Sequence, residues 1–200
     1  MLTGLAALEK TNWSRLHHAY GPATDTPAHL HALLEGNEQA RHEAMSHLWS
    51  AIIHQGTPWT ATGPAALVIA GLLSDERIDR GAKASGAEPI RGEPPSAESA
   101  AGESLRADLL SFLVSVAEAA EISGCSREEL EIVASYDLDP FIDADDEEAL
   151  FGAENENASN SFFAHSVLGC IKAVPVLMDV MLEGWPVPVL AFVRVQRWGL

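Results

Sequence analysis

"NEQARHEAMSHLWSAIIHQG", residues 37–56, is the stretch whose reading decides the fold. Ala44, Met45, Leu48, Trp49, Ile52 and Ile53 recur at intervals of three and four, the period of a helix with one buried stripe. Asn37 stands where an N-cap belongs, and Gly56 follows the last apolar pair, so one long helix is expected from 38 to the "HQG" at its end. Upstream, "TPAHLHALLEG" (26–36) puts Pro27 in a first helical turn, Leu30, Leu33 and Leu34 on one face, and Gly36 at the stop. A shorter helix is expected over Trp13 to Tyr20, broken by Gly21 and Pro22. Downstream, "AALVIAGLL" (65–73) is apolar nearly all round, as a helix enclosed by neighbours must be.

The same period returns later in the chain. Leu105, Leu109, Phe112, Leu113, Val116 and Ala120 form a stripe. Ser126 with Glu129 three residues on makes a capping box for a short helix, and "SFFAHSVLGCIKAVPVLMDVMLEG" is amphipathic, with Pro175 expected to start a helix or kink one sharply. The fold class expected is all-α. Residues 76–103, rich in glycine, proline, serine and glutamate, read as a flexible insertion within one 1–200 domain, because they bury too little apolar surface to offset ordering. The end of the chain reads as a docking helix after Pro188 or a terminal strand.

Composition narrows the functional classes. With 12 basic against 29 acidic residues the net charge is −17, which repels nucleic-acid phosphates and anionic bilayers and favours a basic partner. Neither nucleic acid nor a membrane is expected as a partner. Cys125 and Cys170 lie far apart and read as small core residues of a reducing compartment, and no run reaches the roughly 18 apolar residues of a membrane span, so a cytoplasmic location is expected.

"TPAHLHALLEG" (26–36), "GPAALVIAGLLSD" (63–75) and "VPVLMDVMLEG" (174–184) share an early proline, a large apolar residue three positions on, and a "LL" or "ML" end. Such helical hairpins bury a continuous core by stacking. Trp13, Leu16, Ala19, Tyr20, Gly21, Pro27, Leu48, His54, Gln55, Gly56, Thr57, Trp59 and Ala61 together make residues 12–75 resemble the opening of HEAT-like bacterial repeat proteins. The resemblance implies a HEAT-like α-solenoid, or an irregular stack of antiparallel helical hairpins, that binds other proteins. Some members resemble immunity proteins of toxin systems. It implies no catalytic residue and no cofactor, and a non-enzymatic role is expected.

His54, Gln55 and Gly56 form the turn after the helix, with His54 expected to tie it to the Trp59 loop; no serine or cysteine nearby sits in a nucleophile's frame. Seven of the eight histidines fall in the first 54 residues, which raises a metal-dependent hydrolase as the alternative, beside a general scaffold or adaptor. Spacing speaks against a metal. His42 and His47 are five apart, roughly 140° around a helix, and His29 and His31 point away from each other. "DLDPFIDADDEE" lacks the glycine of a calcium loop. Asp137, Asp139, Phe141, Asp143, Asp145, Asp146, Glu147 and Glu148 read instead as an acidic, partly apolar surface for a basic protein.

Overall fold

The structure, a computed structural model, describes residues 1–78, 105–143, 150–151 and 155–184. Residues 79–103 of the expected insertion (76–103), the acidic residues Asp145, Asp146, Glu147 and Glu148, and the C-terminal segment lie outside the described residues. The described chain is mostly helical, as expected for an all-α protein: α1 (Gly4–Lys10), α2 (Thr26–Glu35), α3 (Glu38–His47), α4 (Thr62–Leu72), α5 (Leu105–Ala119), α6 (Arg127–Val133), α7 (Asp139–Asp143) and α8 (Glu156–Gly184). Two short antiparallel hairpins interrupt the helices. They are β1 (His17–His18) with β2 (Gly21–Pro22), and β3 (Ile53–His54) with β4 (Thr57–Pro58).

The anticipated caps are in place. The Asn37 side chain accepts the Ala40 N–H at 2.9 Å, and Ser126 and Glu129 exchange both bonds of the capping box. These satisfy amides that a helix start leaves without intrahelical partners. The helix expected over Trp13 to Tyr20 does not form beyond a single 3-10 turn, Trp13–Arg15, and the chain then enters β1. Pro175, expected to start or kink a helix, sits inside one continuous helix, α8. Residue 78, expected to lie within the flexible insertion, belongs to the core instead: Ile78 is fully buried.

α4 is the hub, packed by α1, α2, α5 and α8. Small residues make the closest approaches possible. A Cβ on Gly63 would stand 2.4 Å from the Gly169 backbone of α8, and one on Gly71 would stand 2.2 Å from the Gly4 amide nitrogen of α1. Around α4 gather Leu30, Leu33, Leu48, Ile52, Phe112, Leu113, Val116 and Leu177, all but free of solvent contact. A second cluster seats Leu130 of α6 on Ala164, Val167 and Leu168 of α8. By length and composition the Glu156–Met181 part of α8 is apolar enough to cross a membrane, but 61% of that window is buried in this fold. That is the burial of a core helix. Cys170 is buried as expected, whereas Cys125, read from the sequence as a core residue, is exposed ahead of α6.

Candidate functional site

The decisive departure from helical periodicity is at the end of α3. Residues Leu48–Ile52 widen into one π-helical turn, in which the Ile53 N–H bonds back to the Leu48 carbonyl, and the chain leaves as a strand. "HQG" is therefore a hairpin turn rather than a helix end. Gln55 (φ 52°) and Gly56 (φ 80°) both take positive φ, the geometry whose twist matches two antiparallel strands. The wide turn also rotates Trp49 off the buried stripe, leaving it 42% exposed with its ring edge on Phe112.

The two hairpins are bonded side by side. Ala19 donates its N–H to the Ala51 carbonyl, Ala61 donates to the His17 carbonyl, and the His17 N–H is received by Thr60 Oγ1. The buried Thr62 hydroxyl receives the Trp59 N–H and donates to the Ile52 carbonyl, fastening the second hairpin to the start of α4. His54 does not tie the turn to Trp59 as expected. Its Nδ1 is 2.8 Å from the Ser50 carbonyl, which can only accept, so Nδ1 carries the proton. Its ring edges against Tyr20 of the first hairpin, while Trp59 packs against Phe151 and Phe162.

Beneath the hairpins lies a polar cluster that helical spacing did not reveal. The Tyr20 N–H donates to His18 Nδ1, so His18 Nε2 carries the proton and donates it to Asp25 Oδ1 at 2.9 Å. His47, the last residue of α3 and directly before the π-helical segment, lies 3.0 Å through Nε2 from the buried Thr26 hydroxyl, stacks on His29, and meets His18 edge to face. Burial, with the neighbouring His29 and His18, pushes the His47 pKa down to about 4 against the pull of Asp25. For Asp25 burial acts upward, but the His18 hydrogen bond and the nearby imidazoles outweigh it and hold the carboxyl below its ordinary value. At neutral pH the cluster is a neutral His47 beside a charged Asp25. His18 and Asp25 sit in and after a hairpin and His47 on a separate helix, a juxtaposition that intervals within one helix cannot encode.

Separately, Trp49, Ile53, Gln55, Gly56 and Ile122 line an open groove of about 480 Å³. Glu118 and Glu121 line it too, at the C-terminal end of α5, and the last turn of that helix carries no basic residue. Acids at the negative end of a helix dipole cost roughly 0.3–1 kcal/mol each. Helix stability does not account for their position. The Ile122 side chain is also half-exposed, so the groove joins two large apolar residues to two carboxylates.

The acidic segment is arranged differently. Asp137 receives the Asp139 N–H, Asp139 pairs with Arg15, and Phe141 is half-buried against the cluster of Leu138, Leu150, Ala158 and Phe162. Asp143 closes α7, with its side chain outside the described residues. Phe141 is thus partly packed into the fold, and exposed apolar residues beside acids also occur elsewhere, at Trp49 and Ile122 among them.

The class these features define is a mostly helical protein with two stapling hairpins, a half-buried histidine–aspartate cluster and an acid-lined apolar groove. No protein-family model, no curated protein and no solved structure matches the chain.

Proposed function

We propose that this chain is a non-enzymatic protein-binding helical protein of HEAT-like construction, whose groove between the β3–β4 hairpin and the end of α5 receives a cationic, partly apolar segment of a basic protein. The observation that carries the reading is the pairing of half-exposed Trp49 and Ile122 with Glu118 and Glu121 in one groove. Aromatic anchors in a groove supply most of the affinity of such a contact, and carboxylates around them steer a basic partner. The net charge of −17 acts in the same direction at long range.

In its concrete form the chain is an immunity protein that occludes a basic toxin in the cytoplasm, with Asp137, Asp139 and the acidic residues following them as a second, outer contact. The α2–α3 pair, joined by Gly36 and Asn37, is the helical hairpin on which a HEAT-like reading rests. A general adaptor would use the same groove. The competing reading, a metal-dependent hydrolase, is favoured by one observation, the meeting of His18, Asp25 and His47.

The test compares wild type with Trp49→Ala and Glu118→Lys as baits in native cytoplasm at low and moderate salt, with captured proteins identified by mass spectrometry. The expected result is one basic protein held stoichiometrically by wild type, released by salt, and recovered at least ~10-fold less by both variants, the loss of a single hot-spot contact. Equal recovery by all three baits removes the groove from the function.

A further inference from the structure

We propose that His18, Asp25 and His47 form a binding site for one divalent transition-metal ion of the zinc class, independent of the partner-binding groove. The three residues come from three places in the chain: the first strand, the turn before α2, and the end of α3. One ring nitrogen from each histidine and a carboxylate oxygen of Asp25 lie within 4.8 Å of one another. Ligands about 2.1 Å from a tetrahedral zinc stand about 3.4 Å apart, so loading closes the widest gaps, which are at most 4.8 Å, and parts His18 Nε2 from Asp25 Oδ1, now 2.9 Å apart.

The ring geometry selects the ligands. A metal bound by an imidazole lies in the plane of the ring. The His18 and His47 planes cross at 82°, so an ion can lie in both planes at once, whereas His29 is stacked on His47 at 13° and the two nearly parallel planes share no nearby point. His29 instead covers one face of the His47 ring. Two imidazoles and one carboxylate are borderline donors that suit zinc, cobalt, nickel or iron better than calcium or magnesium.

Access and chemistry also fit. His18 and His47 are buried, but the Asp25 side chain is 53% exposed, so an ion enters past the carboxylate and keeps a coordination position open to water. His18 must present a bare Nε2, which moves its proton to Nδ1 and breaks the bond from the Tyr20 N–H. Tyr20 lies in an exposed turn, where water replaces the lost acceptor, so this rearrangement weakens binding without forbidding it. Asp25 exchanges one hydrogen bond from His18 for a bond to the ion.

The experiment titrates ZnCl2 into the chelator-treated, tag-free full chain by calorimetry, and CoCl2 with the visible absorption of the cobalt ion as readout. The expected result is one equivalent bound with a Kd of about 1 μM or tighter. Asp25→Asn keeps an acceptor for His18 and, with an unchanged circular dichroism spectrum, is expected to bind at least ~10-fold more weakly. His42→Ala removes an exposed histidine outside the cluster and is expected to bind as wild type does. No saturable one-to-one binding overturns the site, as does equal affinity in Asp25→Asn or loss of binding in His42→Ala.

Discussion

Two regions of this molecule are held by opposite means. Around α4, the contacts are apolar side chains and bare backbone, with Gly63 against Gly169 and Gly71 against Gly4. Under the hairpins, the contacts are hydrogen bonds among His18, Asp25, Thr26 and His47. The first region carries no titratable group at its closest points and is sensitive to volume. The second tolerates small changes of shape but depends on which groups are charged. Dispersion falls off over fractions of an ångström, whereas a hydrogen-bonded ionisable group changes its free energy with every proton it gains.

Volume should therefore have the largest effect. Gly63→Ala is expected to lower unfolding free energy by about 3 kcal/mol, since the added carbon meets backbone that has no rotamer with which to yield. Urea unfolding measures it. Gly56→Ala sharpens the point: nothing lies within 4 Å of its Cβ, but its φ is +80°, so about 1 kcal/mol is expected from backbone strain alone. Equal losses in the two variants would break the distinction between crowding and conformation.

Acid should attack the polar region. The His47 pKa falls from 6.5 in the unfolded chain to about 4 in the folded one. The unfolded state then binds the extra proton between these values, so stability is complete above about pH 6.5 and is lost as pH drops toward 4, by on the order of 3 kcal/mol. The lowered Asp25 pKa adds a further loss below the ordinary carboxylate range. Unfolding curves from pH 7.5 to 4 should show this slope in wild type and a flatter one in His47→Gln, whose amide still meets Thr26. The same slope in both would place the acid sensitivity elsewhere.

The smaller effects lie at helix ends. Ser126→Ala removes the side-chain acceptor for the Glu129 N–H and should cost about 1 kcal/mol. Glu118→Lys reverses an unfavourable charge at the end of α5 and should raise stability by a few tenths of a kcal/mol while weakening capture of a basic partner. A variant that loses both stability and binding would return Glu118 to the fold.

Local pattern was enough to mark α2, α4, α5, α6 and the body of α8, because a stripe at three-and-four spacing and a capping side chain are properties of neighbouring residues. Asn37, Pro27 and the Ser126–Glu129 box were legible for that reason. The β hairpins were not: two-residue strands are too short to show an alternating period, and the glycine after "HQ" serves a helix stop as readily as a tight turn. Trp49 fits a helical stripe until a π-helical turn rotates it outward, and nothing adjacent to Cys125 says that its loop stays in solvent.

The candidate site divides along the same line. Composition alone established the net negative charge of the chain, and spacing alone set His42 and His47 about 140° apart around a helix. The meeting of His18, Asp25 and His47, and of Trp49 with Glu118 across the groove, was decided by tertiary structure. These residues are brought together by the packing of separate elements onto α4, and the free energy of that packing is distributed over the whole core rather than written into the segments that it joins.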